Sequence, residues 1–293
     1  MKTNLAARRY ARRIGSMRRI FTGSVVVTAM LAVSLLGLAQ GSQNGQGAPP
    51  ANDLGARSLA RIGVSTKDTG GPAPKQSIVG AWAGPQEAAI AEAPPMTPLG
   101  QKMFSARHSE AKYSAAKTND PWYTTCDAMG FPRSSLNEIR AVMFAQMPDR
   151  VLEVYQYSRL WREIMTEGSP LPANAADDPR WYGYSVGHWQ GDNVFVVDST
   201  GSDERSWLDK DGHPHTADAM IHETYERSSH NLMTNIITIT DPAVYTEPYE
   251  ISKIQYLWIP DQKFEEQICV PSEMIAYRNL IGTPAGDGGI SKK

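Results

Sequence analysis

The sequence predicts a mainly β protein: an antiparallel barrel laid down as a meander of hairpins, with a short N-terminal helix ahead of it. Strand-favouring runs recur in pairs across short turns. Helical periodicity is sparse. A meander of this many strands must also remove its edges, by closing on itself or by folding into a two-sheet sandwich.

Residues 1–39 carry Lys2 and six arginines (Arg8, Arg9, Arg12, Arg13, Arg18, Arg19) and no acid, followed by an apolar run that ends in small residues at Gly37 and Ala39. A basic front, an apolar middle and small closing residues predict a signal peptide cut near Ala39. The apolar stretch from Val25 is shorter than the ~20 residues of a spanning helix, so stable membrane insertion after its removal is not expected. Arg18-Arg19-Ile20-Phe21 has the look of a twin-arginine export signal. Met17, just before it, competes with Met1 as the start. The expected destination is the periplasm or the exterior.

The whole chain has 29 basic and 31 acidic residues, a net charge of −2. Without residues 1–39 the balance is 22 against 31, or −9. Such an acidic chain suits neither nucleic acid nor an anionic membrane, so the expected partner is a small molecule. Cys126 and Cys269 are the sole cysteines. In an oxidising compartment they are most simply one disulfide, the alternative being two buried thiols.

Residues 40–75 are rich in Gly, Ala, Pro and Gln and read as a flexible leader. The barrel domain is expected over 76–281, and a loose tail over 282–293. Gly80-Ala81-Trp82 matches the Gly-x-Trp that opens the first strand of lipocalin-like barrels. Pro98 to Ala116 holds a short helix with Leu99, Met103 and Phe104 on one face. Val151 to Tyr157 alternates as a strand does. Tyr184 to Trp189 and Val194 to Asp198 pair across Gly191; Ile221 to Arg227 and Leu232 to Thr240 pair across Ser228–Asn231. Tyr249 to Ile259 and Lys263 to Val270 are expected to pair across Pro260–Gln262.

Several longer strings resemble an uncharacterised family of exported bacterial proteins with a lipocalin-like barrel: Cys126-Asp-Ala-Met-Gly-Phe-Pro-Arg133, the segment GYSVGHWQGD and WLDKDGHPH. The likeness runs from about Ile78 to Val270. It implies a fold and an export route and assigns no reaction. Where the family reads GHSVGRWEGD, this chain has Tyr184, His188 and Gln190.

The stretch Trp207 to His215, WLDKDGHPH, lies in a long connection between two strands, and long connections are often functional. On an extended backbone His213 and His215 would point the same way. Asp209 and Glu223 could orient them, Glu223 lying on the strand face of Ile221, Tyr225 and Arg227. These four residues form the candidate catalytic set, in which an imidazole moves a proton and a carboxylate positions it. His-x-His with a carboxylate could also hold a metal ion, so metal and cofactor status stay open. The plainest alternative is a well-made loop, with Gly212 and Pro214 as turn formers and Asp209 bonding nearby amides.

Around this stretch, Asp198, Asp203 and Glu204 read as a solvated rim, and His188 as a strand residue. Arg133 could bind a carboxylate ligand or pair with an acid near the disulfide. Two functions follow. One is a hydrolase, lyase or isomerase acting on a small organic or sugar-derived molecule at the barrel mouth. The other is non-catalytic, lipocalin-like binding of an apolar or aromatic molecule.

Overall fold

The computed structural model describes residues 69–281, apart from 85–89, 114–115, 137–140, 159, 262–263 and 265. The expected signal peptide, the twin-arginine motif, most of the leader and the tail lie outside the described residues. Residues 69–75 of the leader lie within them. There Thr69 and Gly71 accept backbone hydrogen bonds from Asn231 and His230, and Lys75 pairs with Asp192.

Nine strands close into a barrel in sequence order: β1 (Gly80–Ala83), β2 (Val142–Gln146), β3 (Arg150–Tyr155), β4 (Trp161–Met165), β5 (Tyr184–Gln190), β6 (Val194–Thr200), β7 (Met220–Glu226), β8 (Leu232–Thr240) and β9 (Tyr249–Trp258). The helices are α1 (Pro98–Ser105), α2 (Glu110–Tyr113), α3 (Pro121–Thr125), α4 (Arg133–Leu136) and α5 (Pro271–Ile281). Along each strand, alternate residues turn inward, which is the period-two signal of a sheet with one buried face. Phe144, Val151, Ile164, Phe195, Val197, Ile221, Met233 and Ile254 fill the interior.

The barrel is mixed and not wholly antiparallel: β4 and β5 run parallel, paired only at Ile164↔Ser185 and Met165↔Val186. Parity demands such a pair. Strand directions cannot alternate all the way round a ring of nine, so at least one neighbouring pair must be parallel. A parallel pair needs a crossover of about a dozen residues or more. The chain from 166 to 183 supplies it and contains a 3₁₀ turn at Ala175–Asp177.

The third expected hairpin does not form. β9 pairs with β8 on one side and β1 on the other, through Trp82↔Trp258 and Ala83↔Leu257. With both edges of β9 used, the following chain has no ladder to join. Among the described residues it makes one bridge, Gln267 with Tyr157, before Cys269 bonds to Cys126 and α5 begins.

Trp82 is fully buried, donates from Nε1 to the Ile78 carbonyl at 3.0 Å and lies under the Arg227 guanidinium, 4.8 Å from ring centre. Gly80 beside it sits at φ +133°, and a Cβ there would come within 2.6 Å of the Trp258 indole nitrogen. No helix among the described residues is long and apolar enough to cross a membrane.

Candidate functional site

Two polar groups stand out, one in the 201–219 connection and one inside the barrel. In the connection, Asp209 is buried and acts as the organiser of its own turn. Its Oδ1 accepts from the amides of Asp211, Gly212 and His213 at 2.9, 3.0 and 3.2 Å. Its Oδ2 pairs with His213 Nδ1. Burial pushes the Asp209 carboxyl up, but the hydrogen bond and charge of the His213 ring and the amides of His213 and Asp211 outweigh it, and the group is held below its ordinary value. Burial lowers His213 in turn, and Asp209 more than restores it, so the imidazole is held above its usual value. The His213 ring stacks on Phe104 of α1 at 5.0 Å. Arg107 straps the same loop, donating to the carbonyls of His213 and Glu204 at 2.9 and 2.8 Å.

His215 faces elsewhere. It is fully buried, with Nε2 2.9 Å from Ser206 Oγ and Nδ1 3.0 Å from the Thr216 carbonyl. A backbone carbonyl must receive N–H, so Nδ1 carries the proton; the one Ser206 hydroxyl proton is divided between Nε2 and the Asp203 carbonyl, which accepts it at 2.8 Å. Burial holds the ring below its usual pKa, hence neutral. A serine–histidine pair of this kind resembles an activated nucleophile, but the Ser206 hydroxyl is also spent on the Asp203 carbonyl, and a Cβ on Gly130 would lie 2.5 Å from the Ser206 Cβ. The backbone is packed hard against the hydroxyl. Gly212 turns the chain at φ +94° ahead of His213, and the two rings go to different partners, His213 to Asp209 and His215 to Ser206 and Thr216.

Glu223 is separate from both imidazoles in its bonding. It points into the barrel, where Oε2 accepts from Arg162 Nη1 at 2.8 Å and Oε1 from the Tyr225 hydroxyl at 2.7 Å. Thus Asp209 and His213 meet, His215 is bonded to Ser206 and Thr216, and Glu223 belongs to the interior group. Among the described residues no three His, Cys, Asp or Glu side chains gather as a metal set.

The interior group was not legible as such. Arg162 on β4 is its hub. Besides Glu223, it ion-pairs with Glu153 of β3 through Nη2–Oε2 at 2.7 Å, and its guanidinium lies 3.7 Å from the centre of the Phe131 ring. Arg162, Glu153, Glu223 and Tyr225 are all at or below 2 % exposure, so this cluster of charges has left water altogether. Burial lowers Arg162, but Glu223 and Glu153 together drive it well above its ordinary value, so it is permanently charged. Two carboxylates thus share one cation. Burial pushes Glu153 up, Arg162 pulls it down, Glu223 pushes it up again, and it ends at about 7. Neither Glu153 oxygen has an aligned hydrogen bond among the described residues, nor do Arg162 Nε or either end of the Asn235 amide on β8. Asn235 lies directly opposite Tyr225 in the β7–β8 ladder.

A cleft of about 430 Å³ opens where β4 and β5 stop pairing. Trp161, Glu163, Arg180, Trp181 and Tyr184 line it, and Arg162 and Tyr182 border it as well. The other polar candidates are engaged. Arg133 forks onto Asp120 at 2.9 and 2.5 Å beside the disulfide; Asp203 pairs with Arg205; Glu204 accepts from the Ala217 amide; and Asp198 pairs with His222 on the outer face at 2.7 Å. His188 also lies on an outward-facing, exposed position of β5. Compared with family models, curated proteins and solved structures, the chain matches none of them.

Proposed function

We propose that this protein is an exported β-barrel that acts on a small organic or sugar-derived molecule by acid/base chemistry, as a hydrolase, lyase or isomerase. The proton-exchanging group is Glu153, inside the barrel, with Arg162, Glu223 and Tyr225 around it. One observation carries the reading: Glu153 is fully buried, shares its cation with a second carboxylate and titrates at about 7. A general acid or base works best when its pKa lies near the working pH, and paired carboxylates in low dielectric are a common way to place it there. Buried ion clusters contribute little net stability compared with apolar packing, so a gain in stability alone does not account for this one. Asp209, His213 and His215 then hold the connection in shape. The basic, apolar leader and the Cys126–Cys269 disulfide support export to an oxidising compartment.

A second reading, binding of an apolar or aromatic molecule without turnover, is favoured by the loop itself: both imidazoles are engaged within the protein. A soluble-metabolite screen on purified protein decides between them. Turnover is expected in the parent, in His213→Ala and in His215→Ala, and is expected to be lost in Glu153→Gln. Turnover that survives Glu153→Gln and vanishes in His213→Ala would return the chemistry to the loop. Ligand capture with no turnover in any protein would leave binding alone.

A further inference from the structure

We infer that the cleft at the β4–β5 seam is a binding site for a neutral saccharide of one or two rings. The inference concerns the cleft alone and stands whether or not the barrel interior performs chemistry.

The site exists because of the topology. The parallel pair is joined at two positions only, so the Trp161 side of β4, which pairs with β3, and the Tyr182–Gly183 approach to β5 are not paired with each other, and the crossover lies against them. The resulting space, about 430 Å³, falls within the roughly 300–1,000 Å³ of small-molecule sites. It lies between the two strands and the crossover that joins them.

Its lining selects the ligand. Trp161 is 59 % exposed, an unusual position for an indole on a barrel. An exposed indole offers a flat apolar face with an N–H at its edge. The other rings are already braced. Arg180 covers Tyr184 at 4.2 Å, Arg205 covers Trp181 at 4.6 Å, and the Tyr184 hydroxyl donates to the Asp178 carboxylate at 2.8 Å. Braced side chains have little rotamer freedom left to lose on binding.

Charge narrows the choice further. Glu163 and Arg180 line the cleft as an exposed anion and an exposed cation, while Arg162 at its border is already paired with Glu153 and Glu223. An anionic ligand meets Glu163 and a cationic one meets Arg180. A neutral polyhydroxylated ring uses both, donating hydroxyl protons to the carboxylate and accepting from the guanidinium, while its C–H face lies on the indole. A wholly apolar molecule would leave both charged groups poorly solvated.

Titration calorimetry of the full chain with cellobiose, maltose and di-N-acetylchitobiose tests this, with naphthalene-1-sulfonate as an anionic aromatic probe. At least one disaccharide is expected to bind. Trp161→Ala is expected to weaken it about tenfold, the loss of one stacking contact. Trp161→Phe should restore most of the affinity, and His222→Ala, which is not in the cleft lining, should leave it unchanged. Trp161 is largely exposed, so its variants are expected to fold, and far-ultraviolet circular dichroism checks that they do. Glu153→Gln should bind as the parent does, even where it has lost turnover; this separates failure of the site from failure of the acid/base reading. No binding by any of the three disaccharides, binding indifferent to Trp161, or binding of the sulfonate alone would overturn the inference.

Discussion

Arg162 is the residue on which the interior depends. Cutting it to Met leaves two carboxylates, Glu153 and Glu223, in the core without a cation. Breaking a buried pair in this way costs about 3–5 kcal/mol, whereas replacing all the charged members with apolar residues of similar size is often neutral or stabilising. Denaturant melts are therefore expected to show a large loss for Arg162→Met and a recovery in the triple variant Glu153→Leu, Arg162→Met, Glu223→Leu. A triple variant no more stable than the single one would mean that the network is worth more than its desolvation. Glu153 also makes a prediction in pH. Its folded value, about 7, lies above the ordinary 4.5. The folded chain holds a proton that the unfolded chain releases between those values. Stability from the protonated carboxyl is therefore full below pH 4.5 and is lost as pH rises through about 7. Urea midpoints should fall across that window in the parent relative to Glu153→Gln; parallel profiles would show that the carboxyl does not titrate there.

The elements respond to geometry more than to charge. β1 begins at a glycine that no other residue replaces easily. Gly80 combines φ +133° with an indole nitrogen 2.6 Å from any added Cβ. Gly80→Ala is expected to destabilise by roughly 1–3 kcal/mol, through backbone strain and overpacking against Trp258. Thermal melts check it, with an unchanged midpoint as the contrary result. The 201–219 connection is held by Asp209, whose carboxylate receives three amides and an imidazole. Asp209→Ala should cost about 1.5–3 kcal/mol, because hydrogen bonds to a charged group are the stronger kind. It should also drop the His213 pKa toward or below its free value, which imidazole proton shifts in an NMR titration would report.

At the scale of the molecule, Cys126–Cys269 ties α3 to the segment before α5 across 143 residues of sequence. Closing so long a loop restricts the unfolded chain, so reduction, or the double variant Cys126→Ser, Cys269→Ser, is expected to lower stability by about 2–4 kcal/mol. Guanidinium melts with and without reductant measure it, and coincident curves would mean that the strands alone hold the ends together. The whole barrel also shows which strands could be recognised in advance. β5 to β9 were legible because Val, Ile, Thr and Tyr alternate in them with little interruption. β4, Trp161-Arg-Glu-Ile-Met165, was not, because one of its two inward positions is an arginine, the other being Ile164, while an exposed tryptophan and a glutamate face out. That inversion hid the strand and the functional hub together. β2, Val142-Met-Phe-Ala-Gln146, alternates over too few residues to stand out.

The residues of WLDKDGHPH were visible from the start, and so was the fact that Glu223 shares a face with Tyr225. Whether they formed one site was not. Local pattern determines which face of a strand a side chain takes, because that depends on parity along the chain. It does not determine what stands across the barrel, because that depends on strand number and closure. The sequence by itself determined a β meander, a glycine–tryptophan start and a cysteine pair. Only the tertiary structure decided that nine strands force one parallel seam, that Glu223 meets Arg162 rather than histidine, and that a cleft opens beside them. Contacts across a closed ring are set by the geometry of closure, and no short window of sequence contains it.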